Sequence, residues 1–355
     1  MSDDERFMRQ ALALAEQGRY SVSPNPMVGC VIVRDGSVVA EGWHRRAGEP
    51  HAEIEALRNS GDARGSTIYV TLEPCTHQGR TPPCVDELIA AAPARVVVAM
   101  TDPHEVVDGR GIERLREAGI EVTAGVMERD ARRQNEKFIW AITQKLPFVL
   151  LKAAMTLDGK LATVTRDSRW ITSEAAREHS LRLREEYDAI AVGSGTVVTD
   201  DPRLTRRLGL NGSIVPWTRV VFDGSGSVPP HAQVLTDGAR TILFTSRPER
   251  FQRRDGLEIV TVQNDADLAV LLGELYSRGV TSVVAEGGSH VHSQLIRRGL
   301  WQKMMLFVAP MIIGGDAAPA IFSGEAVSRL TDAYRFRFDQ VEMIGSDLLV
   351  TAYPA

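Results

Sequence analysis

Apolar and polar positions alternate along this chain in two rhythms, one helical and one strand-like. Over Asp3 to Gln17, Phe7, Leu12 and Leu14 recur among the strong helix formers Ala11, Ala13 and Ala15, which predicts a helix. Met27 to Val33 is an apolar run. Asp35-Gly36 then marks a hairpin turn into Ser37 to Glu41. Helices are predicted over Ala52 to Asn59, Val85 to Ala92 and Ile112 to Ala118, the last ended by Gly119. Thr67 to Thr71, Arg95 to Met100 and Ile120 to Ala124 read as strands. Strands alternating with helices predict a layered α/β domain.

The pattern restarts after Lys145-Leu146-Pro147. Phe148 to Met155 is an apolar strand, Asp158-Gly159 a turn, and Lys160 to Thr163 an extended segment. Asp188 to Val192, Arg219 to Asp223, Thr241 to Thr245, Thr281 to Ala285 and Lys303 to Pro310 read as strands. Ser173 to Glu186, Asp265 to Arg278 and His290 to Arg298 read as helices, and Phe336 to Tyr353 alternates like a strand. There is no internal repeat and no low-complexity linker. The restart predicts two α/β domains, residues 1–145 and 146–355.

Composition narrows the class. With 355 residues, 43% hydrophobic and 25% charged, the chain is neither disordered nor fibrous. It carries 41 Lys and Arg against 46 Asp and Glu, and neither half is net basic, which opposes a large nucleic-acid footprint. Three Cys exclude a disulfide scaffold. The acidic start, Met1 to Gln10, has no apolar core of a secretion signal, and no run is long enough to span a membrane, so a cytoplasmic protein is expected.

The strongest chemical signal is His51-Ala52-Glu53, then Pro74-Cys75, then Cys84. One imidazole and two thiolates suit zinc, and three protein ligands leave a fourth position for a water that the metal acidifies. Glu53 lies in the first turn of a predicted helix, where it can move a proton without ligating. This is the His-x-Glu … Pro-Cys … Cys order of zinc deaminases, except that eight residues rather than two separate the cysteines. The loop between them carries Gly79 and Pro82. A structural zinc normally has four ligands, and only three are evident here. Cys30 reads as core packing. Asn25, between Pro24 and Pro26, offers donors and an acceptor suited to a pyrimidine edge or a sugar, and equally suits a plain turn.

Taken together these stretches resemble the bifunctional deaminase/reductase family of riboflavin biosynthesis. The matching segments are Pro24 to Cys30, AGEPHAE at 47–53, TLEPCTHQGRTPPC at 71–84, LKAAMTLDGK at 151–160, SRWIT at 168–172, TVVTDDPRLTRR at 196–207 and VAEGG at 284–288. The resemblance covers nearly the whole chain. It implies an N-terminal three-layer α/β/α domain similar to cytidine deaminase. That domain would remove the 2-amino group of a diaminopyrimidinone bearing a ribosylamino 5-phosphate. It implies a C-terminal α/β domain similar to dihydrofolate reductase, which would reduce the ribosyl group of the product to ribityl with NADPH. His51, Cys75 and Cys84 are then the zinc ligands and Glu53 the proton shuttle.

In the second half, the predicted strand to Ala285, the turn Glu286-Gly287-Gly288-Ser289 and the following helix could receive a pyrophosphate, or form a plain strand-turn-helix. The resemblance implies NADPH contacts at Ala154, Trp170, Thr196, Asp200, Gly224 and the run Gly288, Ser289, His290, Val291, His292, Ser293, Gln294. It implies substrate contacts at Ser168, Arg184, Leu204, Arg207 and Glu286. Two positions depart from the pattern: Gly224, where a hydroxyl-bearing residue is expected, and Arg166-Asp167, where a glycine-containing turn is expected. Lys152 and Asp158 are candidate proton donors for the reduction, and Arg247 a candidate for the 2′-phosphate of NADPH.

The expected partner is a small phosphoribosylated pyrimidine, with no nucleic acid and no membrane. Strand edges predict self-association, a dimer first. One alternative is a zinc nucleoside or nucleic-acid deaminase with an accessory nucleotide-binding domain. Another is a zinc-stabilised module without activity.

Overall fold

The computed structural model describes residues 1–76, 83–104, 107–210, 215–264 and 266–355. It divides into two compact units, Met1–Lys145 and Leu146–Ala355.

The first unit holds helices α1 (Asp3–Ala15), α2 (Ala52–Ser60), α3 (Cys84–Ala91), α4 (Arg110–Glu117), α5 (Glu128–Gln134) and α6 (Glu136–Gln144). Its strands are β1 (Gly29–Arg34), β2 (Ser37–Trp43), β3 (Thr67–Val70), β4 (Arg95–Val98) and β5 (Glu121–Ala124), in the order β2-β1-β3-β4-β5. β1 runs antiparallel to β2 and β3, while β3, β4 and β5 run parallel. Ser2 and Glu5 close a capping box that starts α1. Asp35 and Gly36, at φ 51° and 72°, make the predicted hairpin turn.

Consecutive strand residues face opposite sides of a sheet, yet Cys30, Val31 and Ile32 are all fully buried, so both faces are covered. Two glycines show how. A Cβ on Gly29 would stand 2.0 Å from the Ala11 carbonyl oxygen of α1, and one on Gly42 would stand 2.4 Å from the Ala52 carbonyl oxygen of α2. Gly42 pairs with Cys30, the neighbour of Gly29, so α1 and α2 lie on opposite faces. This is the three-layer α/β/α arrangement.

The second unit is built on strands β6 (Phe148–Thr156), β7 (Ala189–Gly193), β8 (Thr218–Asp223), β9 (Thr241–Thr245), β10 (Leu257–Thr261), β11 (Ser282–Glu286), β12 (Lys303–Ala309), β13 (Phe336–Ile344) and β14 (Asp347–Pro354). Their order is β10-β9-β8-β7-β11-β6-β12-β14-β13. All pairings are parallel except β12 with β14 and β14 with β13. The helices are α7 (Glu174–Glu186), α8 (Ser194–Asp200), α9 (Gln233–Thr236), α10 (Leu268–Ser277) and α11 (Ser289–Arg297). Central strands are near-continuous apolar runs because helices cover a parallel sheet on both sides.

Several elements differ from the sequence expectation. α1 ends at Ala15, and Glu16–Gly18 tightens into a 3-10 turn. Lys160 makes only an isolated bridge to Ala320, so the extended segment is not a strand. Phe336 to Tyr353 is a hairpin of two strands. Asp265 lies outside the described residues, and α10 starts behind Asp267, whose side chain accepts from Ala269 N–H.

Candidate metal centre and nucleotide cavity

In the first unit three separate elements deliver the predicted ligands. His51 is the residue before α2, Cys75 follows β3, and Cys84 opens α3. Their donor atoms all lie within 4.8 Å of one another. His51 Nδ1 stands 2.9 Å from Cys84 Sγ and 3.6 Å from Cys75 Sγ. The backbone N–H of Cys84 donates to Cys75 Sγ at 3.3 Å. The Cys84 hydrogen bond, with His51 beside it, holds the Cys75 thiol down to about 4, whereas Cys84, donating to Cys75 and buried, is pushed up. One sulfur is thus a ready thiolate, and a cation binding among the three would draw the proton from the other. The donor set and its spacing fit zinc. Gly79 and Pro82, in the loop between the cysteines, lie outside the described residues.

Glu53, in the first turn of α2, is only 3% exposed. Its Oε2 is buried with no hydrogen-bond partner among the described residues. Burial pushes its carboxyl up, against the opposing pull of His51. Cys30 is fully buried and its thiol is raised by that burial, which agrees with core packing.

Asn25 also reaches this neighbourhood, through a residue that carried no sequence signal. His44 is buried, and its ring meets the His51 ring edge-on at 5.3 Å. Burial lowers its pKa, so the ring is neutral. His44 Nδ1 lies 3.1 Å from the Pro50 carbonyl oxygen, which can only accept, so Nδ1 carries the proton. Nε2 then accepts from Asn25 Nδ2 at 3.0 Å. Asn25 is held by side-chain chemistry rather than serving as a mere turn residue. A lone His in GWHRRAGEPHAE shows no periodicity or spacing that would single it out.

The second unit contains a cavity of about 1030 Å³. Ala154, Ser168, Trp170, Thr196, Asp200, Gly224, Glu286, Gly288, Ser289, His290, Val291, His292 and Gln294 line it, and so does Lys152. Gly287 and Gly288 turn at φ 76° and 70°, and a Cβ on Gly287 would stand 2.9 Å from Thr196 Oγ1. The turn therefore needs glycine twice over, for its backbone and for its contact. It ends at the N-terminus of α11, whose free N–H groups favour an anion.

A buried charge cluster closes one side. Arg184 Nε and Nη2 donate to the two oxygens of Glu286 at 2.9 and 3.0 Å, and Lys152 Nζ stands 3.8 Å from Glu286. Burial pushes Glu286 up, but the Arg184 and Lys152 charges outweigh it and hold its carboxyl down to about 2. Burial pulls Lys152 below its ordinary value, against the pull of Glu286.

Not every predicted residue reaches the cavity. Arg184 acts on it only through Glu286, with which it is paired. Ser293 turns away, its hydroxyl accepting from Ser323 N–H. Leu204 is buried at φ 53°, and Arg207 is exposed. Neither Leu204 nor Arg207 lines the cavity. Asp158 lies outside it too. Hydrogen bonds from Thr156, Gly314 and Ile313 keep its carboxyl down to about 2, so it is no acid near neutrality. Arg247 is off the lining, its stem packed across Gly226. Both departures have physical reasons. A Cβ on Gly224 would stand 2.8 Å from the Asn264 carbonyl oxygen, so no side chain fits there as the backbone lies. Arg166 itself takes the left-handed φ of 70° that a glycine would otherwise supply.

Comparison with known proteins joins the two sites. Residues 1–100 match the cytidine and deoxycytidylate deaminase zinc-binding region, and residues 147–350 match the RibD C-terminal domain. Riboflavin biosynthesis protein RibD of Bacillus amyloliquefaciens is 40% identical over 99% of this chain and 96% of its own. The chain belongs to the RibD family. RibD of Escherichia coli K12 is 38% identical over 97% of this chain and 98% of its own. The RibD structure from Acinetobacter baumannii superposes with a TM-score of 0.90 at 36% identity, covering 99% of each chain. A Thermotoga maritima diaminohydroxyphosphoribosylaminopyrimidine deaminase/5-amino-6-(5-phosphoribosylamino)uracil reductase gives 0.90 at 38% identity, again over 99% of each. Membership of the RibD family favours the two-step reading over a nucleic-acid deaminase.

Proposed function

We propose that His51, Cys75, Cys84 and Glu53 carry the deamination, and that the cavity around Lys152, Glu286 and the Gly287-Gly288 turn carries the reduction. The enzyme is a riboflavin-biosynthesis deaminase/reductase, using zinc and NADPH. Its substrate is 2,5-diamino-6-(5-phosphoribosylamino)pyrimidin-4(3H)-one and its product 5-amino-6-(5-phosphoribitylamino)uracil. The observation that carries this reading is the meeting of three ligand atoms within 4.8 Å beside a buried carboxyl with a free oxygen.

His51, Cys75 and Cys84 hold the zinc, which when bound makes a water acidic enough to lose a proton near neutrality. Glu53 takes that proton at Oε2 and gives it to the ring nitrogen next to C2, then carries the second proton, from the hydroxyl now on C2, to the departing amine. Oxygen replaces nitrogen at C2 and ammonia leaves, so atoms balance. Burial of Glu53 suits this work, because a carboxyl raised toward neutrality can both accept and release. Asn25, fixed by His44, orients the pyrimidine or its sugar.

In the second unit the Gly287-Gly288 turn and the start of α11 take the pyrophosphate of NADPH. Ala154, Trp170, Thr196, Asp200, Gly224, His290, Val291, His292 and Gln294 complete its bed. NADPH supplies a hydride for the ribose C1. Ser168 and Glu286 bind the substrate, Glu286 kept anionic by Arg184 and Lys152. The bond from C1 to the ring oxygen breaks as the ribosyl group opens to ribityl, and Lys152 Nζ donates the proton which that oxygen takes. Ser293, Leu204 and Arg207 stand outside the lining and shape it from behind.

We also read the chain as a cytoplasmic dimer. Reduced thiols favour a reducing compartment. Among the described residues no helix is long and apolar enough to cross a membrane. The apolar side chains Phe338, Val341 and Met343 exposed on edge strand β13 support self-association.

The test is one assay of the purified chain with the diaminopyrimidinone phosphate. Ammonia without NADPH, and NADPH oxidation only after deamination, are expected. No ammonia release from a zinc-loaded sample would end the reading.

A further inference from the structure

Glu73 is 3% exposed and touches no predicted ligand atom. Its two carboxylate oxygens nevertheless receive four backbone N–H groups. Asp102 and Gly109 donate to Oε2 at 3.1 and 3.0 Å, and Gly111 and Ile112 donate to Oε1 at 2.8 and 3.2 Å. Gly109 is the cap residue of α4 and has no side chain to cap with. Glu73 therefore caps α4 from another element, meeting both the orphan N–H groups and the positive end of the helix.

The clamp also fixes Pro74 and Cys75, the next two residues of the chain. The N–H of Glu73 donates to the Met100 carbonyl oxygen at 3.0 Å. A Cβ on Gly111 would stand 2.1 Å from the Pro74 carbonyl oxygen, so α4 begins in direct contact with the residue before Cys75. On its other side, the Cys75 carbonyl accepts from Val85 N–H at 3.3 Å. Cys75 is thus held between α3, which carries Cys84, and the clamped start of α4.

We propose that Glu73 is a positioning residue for the metal centre: by binding the start of α4 it sets the place of Cys75 relative to His51 and Cys84. The inference rests on the zinc reading of those three residues. A carboxylate is required. An amide in its place keeps one acceptor oxygen and sets an NH2 against two backbone donors. Groups outside the ligand set that fix where a metal ligand sits typically govern metal affinity by about 10- to 100-fold.

The experiment uses the full chain as wild type, Glu73→Gln, Glu73→Asp, Gly111→Ala and Cys75→Ser. Zinc affinity is read by competition with a chromophoric chelator, and ligand geometry by the visible spectrum of the cobalt(II) form. NADPH oxidation on the deaminated substrate serves as the control for the second unit, and the thermal melting of the zinc-free chain as the control for the first. Glu73→Gln should bind zinc about 10- to 100-fold more weakly, with an altered cobalt spectrum and unchanged reductase turnover. Glu73→Asp should recover part of the loss. Gly111→Ala, whose methyl would stand 2.1 Å from the Pro74 carbonyl oxygen and 3.2 Å from Glu73 Oε1, pushes the start of α4 off Pro74 and should weaken zinc too; wild-type zinc affinity in it overturns the proposal should Glu73→Gln not fold. If Glu73 serves only to cap α4, zinc-loaded and zinc-free forms lose equal stability, because the affinity is then unchanged. That result, with Cys75→Ser still weak, overturns the proposal. Wild-type zinc affinity in Cys75→Ser overturns the ligand reading instead.

Discussion

The two units solve the problem of a buried polar site in different ways. The first gathers its chemistry from a short stretch: the ligands span His51 to Cys84, and each sits where a helix begins or a strand ends. The second gathers its site from Lys152 to Pro319, across strands that are far apart in the chain. In the first, strength lies in a few donor atoms that meet within 4.8 Å. In the second it lies in volume, a glycine turn and one charge cluster. A compact site fails when one atom is lost, whereas a distributed site loses function by degrees.

Mutation tests that contrast directly. The largest effect is expected for Glu53→Gln, which should retain zinc by elemental analysis and lose ammonia release by about 10²- to 10⁴-fold, the usual worth of a proton carrier. Its reductase turnover should be unchanged, and retained deamination would remove Glu53 from its role. Next is Lys152→Met, for which reductase kcat should fall about 10²-fold in stopped-flow NADPH oxidation while ammonia release stays intact. Glu286→Gln leaves Arg184 and Lys152 buried without their counter-charge, so thermal unfolding should show a loss of about 3–5 kcal/mol. A smaller change is expected from Gly224→Ser. Crowding against the Asn264 carbonyl should raise the KM for NADPH about 10-fold and leave deamination alone, and an unchanged KM would mean the backbone yields there.

The smallest expected effect concerns pH. A hydrogen bond from Arg95 holds the Asp4 carboxyl below its ordinary value, even though burial opposes it. A group depressed in the folded state adds stability above its unfolded value, and that stability is lost as pH falls through the folded one. Acid titration below about pH 4 should therefore cost wild type more than Asp4→Asn, which should already be about 1 kcal/mol weaker at pH 7. Parallel titration curves for the two proteins would dismiss the pair.

The same contrast explains what could be read from residues alone. His51, Glu53, Cys75 and Cys84 were legible because metal chemistry demands rare residue types in a fixed order. The hairpin at Asp35-Gly36 was legible because its backbone demands those residues. Residues of the second site were reached through resemblance, since a cavity wall accepts many side chains. Arg184 and Ser293 carried the right chemistry but spend it on protein partners, Glu286 and Ser323. α5 escaped because Glu128–Gln134 is nearly all charged and polar, and α6 because its apolar residues Phe138 to Ile142 run together instead of recurring at helical spacing. β10 escaped because it is a short edge strand with no fully buried position and no regular alternation. Glu73 was visible only as a letter in a motif, because its work is done for backbone groups of Asp102, Gly109, Gly111 and Ile112 that no side-chain pattern announces.

The bare backbone at Gly42 has a consequence for how deeply catalysis is seated. α2 brings His51 and Glu53 to the centre, and it rests on β2 with nothing but hydrogen at that point of touch. The height of the Glu53 carboxyl above the sheet is thus set by a missing methyl group, a spacer of no thickness. One added carbon there would press on the Ala52 carbonyl oxygen and the Ala56 nitrogen, and the rung that carries imidazole and acid would have to rise from the sheet.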